Sequence, residues 1–104
     1  LFESCKLDFL NLRQATLDNV VFRDCRIGEI DLNGCVASRV AFQDCSADSV
    51  SFGRTRLDST DLRGLDMGGV NGLEGIRGVT LNGVQVNLLA EAFARHLGIE
   101  IEDR

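Results

Sequence analysis

Cys5, Cys25 and Cys45 stand at intervals of twenty residues, and Cys35 falls midway between the last two. A thiol can be a nucleophile, half of a disulfide or a metal ligand, and the spacing bears on each. A tetrahedral zinc site needs ligands that converge on one point, usually from short Cys-x-x-Cys or His-x-x-x-His spacings; intervals of ten and twenty supply none. A nucleophile needs a base, and His96 is the sole histidine, on the polar side of an amphipathic segment and expected to face solvent. No Gly-rich loop precedes a Lys-Ser or Lys-Thr pair, so the phosphate-cradling arrangement is missing. Paired carboxylates occur, but on positions expected to be solvated. The expectation is therefore no catalytic residue, no cofactor and no metal.

What positions the cysteines is a five-residue repeat. Phe2, Leu7, Leu12, Leu17, Phe22, Ile27, Leu32 and onward to Met67 are apolar without exception, and the positions two before each, from Cys5 to Leu65, are apolar except Thr55 and Thr60. A period of five fits neither the 3.6 of a helix nor the 2.0 of a long strand, so the chain must turn at each repeat. Short strands place residues two apart on one face, while the intervening Gly, Asn, Asp and Ser residues supply turns. The result is a coil with an apolar interior.

Val20-Val21-Phe22-Arg23-Asp24, Thr55-Arg56-Leu57-Asp58-Ser59 and Thr60-Asp61-Leu62-Arg63-Gly64 resemble the motif of the pentapeptide-repeat proteins. The resemblance implies an all-β solenoid, a right-handed quadrilateral parallel β-helix with four repeats, or twenty residues, to the coil. On that register Phe2, Phe22 and Phe42 stack, followed by Leu62, and Cys5, Cys25 and Cys45 form the neighbouring column. Stacked side chains leave the wall in the same direction and do not meet with disulfide geometry, so free, buried thiols acting as small hydrophobes are expected.

Near Gly72 the frame slips by one residue, and Val79 with Leu81 and Val84 with Val86 resume the spacing. The glycines at 64, 68, 69, 72, 75 and 78 read as a loosening there, and Asn82-Gly83 as a corner like Asn33-Gly34. This sets the repeat region at 1–86, about four coils with an altered last coil at 73–86. The remainder, 87–104, reads as a short capping α-helix and an extended tail. Asn87 is the expected N-cap and Gly98 the C′ residue, with Leu88, Leu89, Ala92, Phe93 and Leu97 on the apolar stripe. Solenoid ends need such covers.

Sixteen acidic and eleven basic residues give a net charge of −5. No run of 18 apolar residues or signal segment is present, so no membrane contact and a cytoplasmic location are expected. A chain starting at Leu1 in mid-repeat also implies that something precedes or covers its first coil in the intact protein. The functional expectation is a non-catalytic structural or protein-interaction module that binds a protein and not nucleic acid. Its candidate surface is the outward column Leu1, Val21, Ala41 with the stacked carboxylates Asp24 and Asp44; Leu89, Phe93 and Leu97 either close the coil or join a homodimer through the helix. The alternative implied by the resemblance is a DNA mimic that regulates or protects DNA gyrase, although Arg23, Arg26, Arg39, Arg54 and Arg56 interrupt the acidic field.

Overall fold

The computed structural model describes residues 1–102. It is a rod of 47 × 23 × 23 Å built by a parallel β-solenoid of about four turns. The strands are β1 (Phe2–Glu3), β2 (Lys6–Asn11), β3 (Thr16–Arg23), β4 (Arg26–Asp31), β5 (Val36–Gln43), β6 (Cys45–Ser51), β7 (Arg56–Asp58), β8 (Thr60–Asp61), β9 (Leu65–Asn71) and β10 (Val79–Thr80), followed by the single helix α1 (Gly83–His96). One parallel sheet runs β1-β3-β5-β8-β10 with β7 also on β5, and the other runs β2-β4-β6-β9.

The register is the twenty-residue step read from the sequence: Phe2 pairs Phe22, Leu10 pairs Ile30, Ile30 pairs Val50 and Val50 pairs Val70. Each long strand bends in its middle, where pairing skips one residue: Asn19 and Arg39 in one sheet, and Asp8, Gly28, Asp48 and Gly68 in the other. Among the described residues eight non-glycine positions take left-handed backbone, including Asn19, Asp24, Arg39 and Asp44 with φ of 52–56°. Such conformations are unfavourable for residues with a Cβ, and the ladder of interstrand bonds on either side holds them. At a third bend tight turns close with hydrogen bonds such as Cys35 N–H to Leu32 O at 2.9 Å, around Gly34 at φ 73°, the pattern of a type II turn.

Inside the coil the columns fill the space. Phe22, Phe42, Phe52, Ile30, Val50, Leu62 and Leu65 are buried. The rings of Phe2, Phe22 and Phe42 stack at 5.0 and 4.8 Å, inclined by 12° and 9°. An internal cavity of only about 10 Å³, lined by Leu, Val and Phe side chains with Ala37 and Thr60, lies among them.

The one-residue slip is real: Ser51 pairs Asn71 across twenty residues, whereas Thr60 pairs Val79 across nineteen. A 3-10 turn at Leu73–Gly75 and the left-handed Gly78 take up the difference. Contrary to the sequence expectation, the glycines before it mark no loosening. Gly68 lies inside the regular strand β9, where a Cβ would stand 2.7 Å from the Asp48 carbonyl oxygen. Close approach, not flexibility, demands glycine there.

The helix also begins earlier than its periodicity suggested. Asn82, not Asn87, is the N-cap, and the pair Asn82-Gly83 is a helix start and not a corner. Val84 and Val86 therefore lie exposed on α1 instead of continuing a coil. Asn82 Oδ1 accepts from Gln85 N–H and Gln85 Oε1 accepts from Asn82 N–H, both at 2.9 Å. This reciprocal box satisfies two otherwise orphaned donors. At the other end Gly98 N–H bonds Arg95 O at 3.1 Å and Ile99 N–H bonds Ala94 O at 2.8 Å, with Gly98 at φ 75°. That is the Schellman arrangement, with Gly98 in the expected role. Beyond it Ile99 and Ile101 run beside Glu91 and Arg95, both exposed. The last two residues of the expected tail lie outside the described residues.

Candidate interaction surface and the cysteine column

Val21 pairs Ala41, both half-buried, and Ala41 in turn pairs Asp61, so the outward apolar column ends in a carboxylate. Leu1, one step before the Phe2–Phe22 pair, is exposed. Asp24 and Asp44 occupy equivalent left-handed corners one coil apart, and Asp24 N–H bonds Gln43 O at 2.9 Å. Thus the register brings the column and the two carboxylates to one side of the rod.

It also brings Arg26, which the sequence marked only as a break in the acidic field. Its guanidinium donates to Asp44 O at 2.8 Å and Cys25 O at 3.2 Å and lies 3.8 Å from the Asp24 carboxylate. The same side carries Arg23, which bonds Gln43 Oε1 at 3.0 Å and Glu3 at 3.4 Å, and Arg63, paired to Asp61 at 2.9 Å. Exposed pairs of this kind contribute little to stability. What they do is neutralise the acids and hold long side chains flat against the sheet.

Two carboxylates are more tightly held. Asp31 Oδ1 accepts from both Asn33 N–H at 3.0 Å and Asn33 Nδ2 at 2.7 Å, and these bonds, first the one from backbone, hold its pKa below the ordinary carboxylate range. Asp61 is lowered likewise, chiefly by Arg63. Both turns are read in the sequence as Asp-x-Asn and Asp-x-Arg, where the acid bonds the backbone two residues on. A depressed folded-state value means stability present above about pH 4 and lost as pH falls through the depressed values. The melting temperature should accordingly drop on acidification below that point, and Asp31→Asn, which keeps the acceptor oxygen without the charge, should flatten the dependence. Thermal scans at stepped pH would show no difference between the two proteins if the Asp31 contacts were absent.

All four cysteines are free, Cys25, Cys35 and Cys45 being buried and Cys5 partly so. The thiols repeat one pattern. Cys45 Sγ donates toward Gln43 O at 3.2 Å and Phe22 O at 3.4 Å; Cys25 Sγ does so toward Arg23 O at 3.4 Å and Phe2 O at 3.7 Å. Burial pushes the pKa of the Cys35 and Cys45 thiols up, which keeps them protonated and weak as nucleophiles.

On α1, Leu89 is buried and Phe93 half-buried, while Leu97 is 71% exposed and serves as the C-cap residue. Leu88, expected on the same stripe, is 72% exposed. Starting the helix five residues earlier adds a turn ahead of that stripe and brings Gln85 into line with Leu89, Ala92 and Phe93. Gln85 is the residue that sequence reasoning missed: its Nε2 donates to Leu62 O at 2.7 Å and Leu65 O at 2.9 Å, the carbonyls of the turn into β9. The Asn82-x-x-Gln85 spacing of a capping box was the available signal. His96 lies exposed beside Asn71 and Arg95.

A parallel β-solenoid of stacked twenty-residue coils, closed by one helix, defines the class of this protein. The sequence matches the model for the pentapeptide repeat region over residues 1–52, half of its 104 residues, and the chain belongs to the pentapeptide-repeat family. A search of curated proteins finds no significant match. Among the described residues no helix is long and apolar enough to cross a membrane.

Proposed function

We propose that this repeat module is non-catalytic and works in the cytoplasm by displaying a rigid, flat side to a protein partner. The carrying observation is how its polar side chains are spent: thiols donate to backbone carbonyls, and Arg23, Arg26, Arg39 and Arg63 bond across or along coils. A surface so ordered presents a fixed pattern at little entropic cost to a partner. The side bearing Val21, Ala41, Asp24 and Asp44 combines apolar and charged groups, and is the surface assigned to contact. The exposed Leu88 and Leu97 on α1 offer a second copy a separate route to a homodimer.

Regulation of DNA gyrase by DNA mimicry is the competing reading. Duplex DNA carries about one charge per 1.7 Å, whereas acids on the proposed side are interleaved with paired arginines. A supercoiling assay separates the two. Purified protein at tens of micromolar is expected to leave gyrase unaffected, and specific inhibition or protection would replace the module reading by the mimic. In parallel, cross-linking in cells should yield a protein adduct that Ala41→Arg abolishes without loss of β-structure; an adduct indifferent to that change would remove this side from the interface.

A further inference from the structure

Cys5, Cys25 and Cys45 form a column of thiols, one per coil, and the thiols of Cys25 and Cys45 make matching contacts, each with the carbonyl two residues before it and with a carbonyl of the preceding coil, so that one is the other displaced by a coil. The coils repeat at about 4.8 Å, the separation of the Phe22 and Phe42 rings in the adjoining column. Among the described residues no three His, Cys, Asp or Glu side chains group to hold a metal. A line of sulfurs has a different use. A soft ion with two ligands in line needs sulfurs facing each other across about 4.6 Å, twice a metal–sulfur bond of about 2.3 Å. It also needs each Cβ–Sγ bond to lie across the sulfur–metal line. Side chains stacked on parallel strands leave the wall side by side, so the coil repeat supplies the separation and the shared direction supplies the angle. The geometry that keeps two stacked cysteines from a disulfide is the geometry a linear ion requires.

We propose that the column binds a soft monovalent cation, Cu(I) in a cell, seated between the sulfurs of Cys25 and Cys45. Thiolate ligands select Cu(I) over hard cations. In binding, two S–H bonds break and two Cu–S bonds form, both protons pass to solvent, and no electron moves. The bis-thiolate carries one negative charge, which burial would penalise. Arg26 offsets part of it from the outer side of the wall, where its exposed guanidinium donates to the carbonyls of Cys25 and Asp44 at 3.2 and 2.8 Å. That positive charge distinguishes the Cys25–Cys45 pair from Cys5–Cys25.

The test is an anaerobic titration of the reduced full chain with Cu(I), added as its acetonitrile complex, against a chromophoric Cu(I) chelator. One Cu(I) per chain should be retained with the β-sheet circular dichroism unchanged. Cys5→Ala and Cys35→Ala should each keep it. Cys25→Ala, and Cys45→Ala made on the Cys5→Ala background, should lose it, and Arg26→Gln should weaken it. Because core cysteine variants can fold poorly, X-ray absorption of the loaded wild-type chain provides a second reading, expected to show a shell of two sulfurs. The proposal is overturned if the chelator strips all copper, if Cys35→Ala loses it equally, if uptake melts the sheet, if three or more sulfurs surround the metal, or if Zn(II) displaces it.

Discussion

Replacing Phe22 by alanine is expected to cost about 3–5 kcal/mol, while Phe9→Ala costs less than about 1 kcal/mol. Both are phenylalanines in the repeat, and nothing in their chemistry separates them. Position does. Phe22 is 3% exposed, with the Phe2 ring at 5.0 Å on one side and Phe42 at 4.8 Å on the other. Phe9 is 48% exposed, on the outside of β2. Removing the Phe22 ring leaves a void in a wall whose neighbours are fixed by the backbone ladder and cannot collapse into it, which places the cost toward the upper part of the range. Domains of this size are stable by only about 5–15 kcal/mol, so the midpoint of urea unfolding should fall sharply for Phe22→Ala and hardly at all for Phe9→Ala. Equal losses would mean that the twenty-residue register is misplaced.

The second large effect belongs to Gln85. Its side chain closes the helix box with Asn82 and, with the opposite end of the same amide, donates to Leu62 O and Leu65 O. In a further coil, backbone N–H groups would occupy that place, so one amide substitutes for a strand edge and ties α1 to the solenoid. Gln85→Ala strips the bond from Leu65 O and opens the box, while Leu62 O keeps the one from Leu65 N–H at 3.0 Å, a loss of about 2 kcal/mol. Gln85→Glu is more diagnostic. The carboxylate can still accept from Asn82 N–H but cannot donate, and it faces two carbonyl oxygens. The loss at neutral pH should match or exceed that of alanine and be partly recovered in mild acid, when a protonated carboxyl regains one donor. Denaturation followed through the helix signal at two pH values measures both. A glutamate variant as stable as wild type at pH 7 would show that the amide does not hold the cap.

These two positions also mark what could be read in advance. Phe22, Cys25, Ile30 and their partners were legible because burial recurs with a fixed period, and a period survives any single ambiguous residue. The slip near Gly72 was visible for the same reason, since Val79 and Leu81 restored the spacing one residue early. Gly98 was legible because only a left-handed C′ residue suits the end of an apolar helical stripe. The helix start was not, because Asn82-Gly83 repeats the Asn33-Gly34 pair of a true corner and Val84 with Val86 continued the five-residue pattern. Two periods overlapped there, and the reciprocal bonds of Asn82 with Gln85 decided between them. Gly68 misled for another reason: a glycine required by the 2.7 Å approach of a neighbouring coil's carbonyl reads, in one dimension, like a flexible one. On the candidate side, the register stacks Val21 on Ala41 and sets Asp24 and Asp44 at equivalent corners one coil apart. Arg26 was legible as a break in the acidic field, but its bonds to the backbone carbonyls of Cys25 and Asp44 were not, since no side-chain pattern reveals them.

The most direct measurement of the central claim, that twenty residues make one coil and align every column, is a set of proton–proton NOEs from selectively labelled protein. The Phe22 ring should show contacts to the Phe2 and Phe42 rings, and the Ile30 methyls to those of Leu10 and Val50, with the Phe9 ring contacting none of these groups. Contacts from Phe22 to residues fifteen or twenty-five positions away in place of twenty would contradict the register, and with it the cysteine column and the surface built on it.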